Sequence, residues 1–285
     1  MTSFQPFCYE NKPFKKCSIN QCLKLQISYM NDLPKVEVLF ERNGVLAINK
    51  PACLPSQAPW GIESVESGMR RQNFHRRFEE ALALGETRHP GGFLGVPHRL
   101  DRAVSGVMLL ALTPRAARQL SRQFERRQIQ KTYVAIVEPI GAMPISEEPF
   151  MWQDALRKVS GEPRVEVATL HDSEAKLAQT TGFVLASSKD RYVLKLHPET
   201  GRMHQLRIQA ACRGMPIVDD ALYGSASMED IENIRHQPIA LHAWSIEYDD
   251  PENKQRVVAH APVPETPLWM CWRDVISSRM QSESQ

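Results

Sequence analysis

One carboxylate between two guanidinium groups marks the stretch His98-Arg99-Leu100-Asp101-Arg102-Ala103-Val104-Ser105-Gly106, which leads through a Ser-Gly turn into an apolar run. Neighbouring cations favour the ionised form of Asp101, and a turn entering a strand can hold it at the edge of a cleft. That combination suits a nucleophile or a base. A solvated surface ion pair fits the same spacing, and such pairs outnumber catalytic ones. A second stretch, Thr200-Gly201-Arg202-Met203-His204-Gln205-Leu206-Arg207, places His204 and Arg207 three residues apart, on one face of a helix expected from about Met203 to Arg213 and ended by Gly214.

The elements that must position these residues are legible from pattern. Val36–Phe40 and Val45–Ile48 read as strands joined by a turn at Gly44. Val107–Leu112 is a continuous apolar run, the pattern of a strand buried on both faces, and Thr113-Pro114 after it supplies a cap and a first-turn proline for a helix. That helix gathers Ala116, Ala117, Leu120 and Phe124 on its buried face and most of its arginines elsewhere. Lys131–Val137 is a strand with Tyr133, Ala135 and Val137 on one face, a setting that suits either a core tyrosine or one beside a pocket. Arg191–His197 is a further strand, followed by a turn at Pro198–Gly201.

Net charge is only +2, so composition alone does not announce a polyanionic partner, but the distribution does. From His98 to Lys131 the cations Arg99, Arg102, Arg115, Arg118, Arg122, Arg126, Arg127 and Lys131 face only Asp101 and Glu125, the local excess that phosphate binding requires. A second cluster, Arg70, Arg71, Arg76 and Arg77 around Phe74 and His75, fits an RNA contact or a solvated helix face partly balanced by Glu79 and Glu80. The six cysteines form no Cys-x-x-Cys pair and read as free thiols, with a zinc site on Cys8, Cys17 and Cys22 a remote alternative. No apolar run is long enough to span a bilayer and the N-terminus lacks a signal-peptide core, so a cytoplasmic protein is expected. Residues 1–33 read as an irregular extension, 34–278 as one catalytic domain and 279–285 as a flexible tail.

Taken together, His98–Gly106, Lys131-Thr132-Tyr133-Val134-Ala135-Ile136-Val137 and Thr200–Arg207 with Gly214–Asp220 and Tyr223-Gly224 occur in one order. The chain thereby resembles the RluA-type pseudouridine synthase family. The resemblance extends from Leu46-Ala47-Ile48-Asn49-Lys50-Pro51 to Leu241-His242-Ala243 and Ala261-Pro262-Val263-Pro264, about Val36 to Pro264. It implies an α+β fold, a largely antiparallel mixed sheet with flanking helices around a central RNA-binding cleft. It also implies an isomerase that needs no cofactor and no metal. A uridine of ribosomal or transfer RNA is flipped into the cleft, its glycosidic bond breaks, the uracil turns, and carbon-5 rejoins the ribose.

On the matching positions, the resemblance makes Asp101 the essential carboxylate, acting on the sugar or on the uracil ring, with Arg207 paired to it and keeping it ionised. Tyr133 is expected against the uracil as a third catalytic residue, stacking on the base and helping the proton step at carbon-5. His98, Arg99, Arg102, Lys131, His204 and Leu206 are expected to contact substrate, Leu206 as an apolar wall. Three positions depart from the family pattern: Val104 stands in place of the usual Thr, Asp219 in place of Gly, and Lys50–Ser56 differs from Lys-Pro-Ser-Gly-Leu. Two other functions fit parts of the pattern, an RNA-binding or ribosome-assembly protein using the same cleft without essential catalysis, and a nucleosidase or glycosidase with Asp219 or Asp220 as second carboxylate. RNA is the expected partner, no membrane is, and a monomer is the simplest state.

Overall fold

β-Branched residues on either side of Asn43-Gly44 fold as a hairpin of β1 (Glu37–Arg42) and β2 (Val45–Lys50). Asn43 and Gly44 carry φ of 48° and 75°, the left-handed pair a two-residue turn of this hand requires. The computed structural model describes residues 36–83, 92–141, 148–169, 171–224 and 237–281, all within a compact unit, Val36–Gln285. The expected extension over 1–33, with Cys8, Cys17 and Cys22, lies outside the described residues.

After the hairpin come α1 (Val65–Ala83), β3 (Ser105–Ala111), α2 (Pro114–Glu125), β4 (Gln130–Val137), β5 (Phe150–Lys158), β6 (Val165–Ala168), β7 (Lys176–Ser187), β8 (Tyr192–Pro198), α3 (Gln205–Ala211), β9 (Leu241–Asp249), β10 (Arg256–His260), α4 (Pro267–Met270) and α5 (Arg273–Gln281). The strands form one sheet in the order β1-β2-β3-β9-β4-β8-β7-β5-β6, with β10 added on β9. Every pairing is antiparallel except a short parallel contact of β3 with β9, Ser105 opposite His242 and Gly106 opposite Ala243. The fold is α+β, as expected.

That parallel contact explains Gly106. Its φ is 117°, and a Cβ there would fall within the backbone of Ala243. The strand after it, Val107–Ala111, is almost wholly buried, as its unbroken apolar run predicts. Thr113 caps α2 by accepting the N–H of Ala116 at 3.1 Å.

Two apolar cores form. One joins β2 and β3 with α1, α2 and part of β9; the other joins β4 and β8 with α3, α4 and α5. Tyr133 packs against both, so it marks the seam between them. The strand ends fall within two residues of expectation, and two helical segments differ more. The helix expected over Met203–Arg213 runs from Gln205 to Ala211, its start set by the left-handed backbone of His204 (φ 49°). Arg279–Gln281, expected in a flexible tail, continue α5 because Met280 is drawn into the second core. Among the described residues no helix is long and apolar enough to cross a membrane.

Candidate active site

Asp101 sits on the loop into β3, and the loop is fastened from below. Lys50, at the end of β2 and fully buried, donates from Nζ to the carbonyls of Pro51 (2.8 Å), Arg102 (3.2 Å) and Val104 (2.6 Å). Burial pushes this amine down to about 7, while nearby Asp101 pulls it up. Ser56 accepts the Leu100 N–H at 3.0 Å and donates to the Leu100 carbonyl at 2.8 Å, and Val104 N–H closes a turn onto the Asp101 carbonyl at 3.1 Å. Val104, in place of the usual Thr, is buried in the second core, so its methyls fill space that needs no hydroxyl. The flanking arginines are not partners of Asp101. Arg102, expected at the substrate, turns its Nε to the Cys53 carbonyl at 3.0 Å and does not line the cleft, and Arg99 is exposed.

The groups facing Asp101 come from the Thr200–Arg207 stretch. Arg207 Nη1 and His204 Nε2 each lie 3.9 Å from Asp101 Oδ2. Arg207 itself is held by Asp220, in a bidentate pair of 2.6 and 2.7 Å with both side chains buried. Expected as the partner of Asp101, Arg207 thus has Asp220 as its primary partner and presents its remaining nitrogen to Asp101. The stretch is locked onto β7 by a buried polar chain: Gln205 Nε2 donates to the Gln179 carbonyl and Thr180 Oγ1, both at 2.9 Å, and Thr180 Oγ1 donates to Gln209 Oε1 at 2.7 Å. Such a network tolerates no missing member, and it fixes where α3 starts.

Above Asp101 opens a cleft of about 520 Å³, lined by His98, Arg99, Leu100, Asp101, Lys131, Tyr133, Thr200–Arg207 and Leu241, among others. The cleft thus gathers Asp101, Tyr133 and Arg207 with His98, Arg99, Lys131, His204 and Leu206, and leaves out Arg102. Burial, and then the Asp101 charge, raise the Tyr133 phenol, which keeps its proton. Burial lowers Lys131 to about 8, and its Nζ approaches the Thr200 carbonyl at 3.5 Å. His98 accepts the backbone N–H of Leu109 at Nε2 (2.8 Å), stacks on Phe124 and is pushed down to about 3 by burial. It is a neutral bracket between loop and strand, with that nitrogen closed to a phosphate.

Around the cleft the arginines divide sharply. Arg70, Arg71 and Arg76 on α1 are bound by Glu66, Glu63 and Glu41, so these three arginines form a neutralised helix face; the side chains of Phe74, His75 and Arg77 lie outside the described residues. Arg99, Arg115, Arg118, Arg122, Arg126 and Arg127 are all exposed, and among the described residues none has a carboxylate partner. Cys53, Cys212 and Cys271 are free thiols, and among the described residues no three His, Cys, Asp or Glu side chains could hold a metal.

Two parts of this arrangement escaped the sequence reading. Asp220 looked like a loop residue because nothing local ties it to Arg207, and Tyr223, whose hydroxyl meets His204 Nδ1 at 2.9 Å, carried no signal beyond its place in a motif. Both lie in the stretch Asp219–Gly224, and that shared stretch is the only pointer to them.

Comparison with known proteins agrees with the geometry. The family described as RNA pseudouridylate synthase matches residues 44–212. An uncharacterized RNA pseudouridine synthase of Zymomonas mobilis is 37% identical over 229 residues, 80% of this chain and 93% of its own. A ribosomal large subunit pseudouridine synthase C of Buchnera aphidicola is 29% identical over 79% of this chain and 67% of its own. A tRNA pseudouridine synthase C of Salmonella typhi is also 29% identical, over 82% of this chain and 87% of its own. The solved human RNA pseudouridylate synthase domain containing 1 shares the fold, with a TM-score of 0.61, 22% identity and coverage of 86% of this chain and 95% of that one. With a family match over more than half its length and a relative so nearly coextensive, the chain belongs to the RNA pseudouridylate synthase family of isomerases.

Proposed function

We propose that this protein converts specific uridines of ribosomal or transfer RNA to pseudouridine, with Asp101 as the essential carboxylate. The observation that carries this reading is the state of Asp101. It is part-exposed at the base of the cleft, with a cation and an imidazole 3.9 Å away, neither close enough to occupy its lone pairs. Ribosomal and transfer RNA as substrate classes draw support from the relatives of Buchnera and Salmonella.

A flipped uracil entering the cleft meets Tyr133 on one side and Leu206 on the other. Extrusion from the stack costs a few kcal/mol, which stacking on Tyr133 and phosphate contacts to the exposed arginines offset. Arg207 orients the Asp101 carboxylate and balances its charge, while Asp220 and the Gln205 network keep Arg207 in place. Lys131 and Arg99 stand at the lining where a neighbouring phosphate would pass. The hydrolytic alternative calls for a second carboxylate to activate water. Asp220, its candidate, is buried and spent on Arg207, and Asp219 is on the exposed side of its loop.

The test is to incubate the purified protein with RNA extracted from cells lacking it and to quantify pseudouridine. Wild type should form pseudouridine and Asp101→Asn none, with RNA affinity retained. Undiminished turnover by Asp101→Asn, or free uracil in the products, would overturn the proposal; function in cells without turnover would favour the RNA-binding role.

A further inference from the structure

Tyr223 does not line the cleft, yet it touches both groups that face Asp101. The Arg207 guanidinium lies over its ring, 5.1 Å from the centroid, and the His204 ring stands edge-on to it at 5.6 Å. Its hydroxyl is 2.9 Å from His204 Nδ1 and, on its other side, accepts the backbone N–H of Val165 on β6 at 2.9 Å. A phenol has one proton to give. If it goes to Nδ1, the hydroxyl, the Val165 N–H and the ring nitrogen are all satisfied at once. The opposite arrangement aims two donors at the phenol oxygen. It also turns a bare Nε2 lone pair toward the Asp101 carboxylate.

We propose that Tyr223 fixes His204 as the neutral tautomer protonated at Nε2, so that an uncharged N–H faces Asp101. This inference rests on the reading of Asp101 as the catalytic carboxylate. Tyr223 is a positioning residue, acting through His204.

The surroundings favour the neutral ring. His204 is faced by Asp101, Arg207, Asp220, Arg99 and Tyr223. Burial outweighs the pull of the two carboxylates, and Arg207 and Arg99 add to it, so the imidazole stays below its ordinary range. The consequence is one of charge. Arg207 is a single cation shared by Asp101 and Asp220, and a neutral His204 adds no second one. A protonated His204 would close on Asp101 as an ion pair and tie up the lone pairs that must reach the sugar or the uracil. His204 has a left-handed backbone just before α3, and its ring lies between Tyr223 and Asp101.

Long-range proton–nitrogen spectra of protein labelled in its histidine rings read the tautomer directly, with the His204 signals identified by their loss in His204→Asn. The wild type should show the Nε2–H pattern across neutral pH. Tyr223→Phe keeps the ring against Arg207 but removes the donor, so both tautomers should appear, the His204 titration should move to higher pH, and the acid limb of pseudouridine formation should move with it. An Nδ1–H tautomer or an imidazolium in the wild type at neutral pH would overturn the proposal, as would a Tyr223→Phe protein with unchanged His204 spectra and titration. The wild-type spectrum decides the tautomer even if that variant does not fold. The spectra need no RNA, so failure of the synthase reading would appear separately, as a wild-type protein that forms no pseudouridine while its ring spectra are as expected.

Discussion

At the scale of single residues, the site depends on one cation serving two carboxylates. Arg207 is buried against Asp220 and reaches Asp101 only with its remaining nitrogen. Removing one member of a buried pair leaves an uncompensated charge, which typically costs about 3–5 kcal/mol. Asp220→Asn should therefore lower the unfolding free energy by about 3 kcal/mol and abolish most turnover; urea denaturation at neutral pH measures the first, and a shift under about 1 kcal/mol would refute the pairing as drawn. Asp101, Tyr133 and Arg207 stand out in the sequence only through the family resemblance that their motifs carry; spacing alone fits a solvated ion pair, a core tyrosine and a surface arginine equally well. Asp220 does not stand out, because a contact thirteen residues away through an irregular loop leaves no periodicity to read. For the α1 arginines the sequence leaves an RNA contact and a solvated helix face both open, and the partners that decide it come from helix spacing (Glu66), the turn before the helix (Glu63) and β1 (Glu41).

At the scale of elements, most strands and the start of α2 follow from pattern alone, since alternation, turn glycines and a Thr-Pro cap act locally. The departures from the family pattern become clear only in three dimensions. Cys53 and Asp219, both at positions the family fills with glycine, hold left-handed backbones with φ of 67° and 66°, so the turns persist without the residue that makes them easy. Helix α2 carries exposed arginines at Arg115, Arg118 and Arg122, with Arg126 at its C-cap, spaced three or four residues apart along one side. If they follow an RNA backbone, each arginine removed should reduce the slope of log affinity against log salt by about 0.7–0.9. The double change Arg118→Ala and Arg122→Ala should flatten that slope for unfractionated transfer RNA by about 1.5, whereas Arg70→Ala with Arg71→Ala should leave it unchanged. Equal effects from the two pairs would place the RNA elsewhere.

At the scale of the whole molecule, the cleft lies where two cores meet, and the seam is held by β3, β4 and β9. His242 on β9 is buried there, with Nδ1 2.9 Å from Ser105 Oγ on β3, and burial lowers it to about 4. In the unfolded chain it titrates near its ordinary 6.5. Between these values the unfolded state binds the extra proton, so stability is full above about pH 6.5 and falls as pH drops toward 4, by up to about 1.4 kcal/mol per pH unit. His242→Gln should remove one histidine's share of the acid-side slope and leave the share of His98, which burial also lowers; an unchanged slope would show that His242 contributes none of the acid sensitivity. The seam brings Asp101, Tyr133 and Arg207, from three distant parts of the chain, to one cleft, where uridine is proposed to isomerise through Asp101. Mapping pseudouridine across total cellular RNA from a strain lacking the protein, complemented with wild type or Asp101→Asn, tests it most directly. At least one uridine should lose its modification on deletion and regain it with wild type alone; restoration by Asp101→Asn, or no site that depends on the protein, would rule out Asp101-dependent isomerisation.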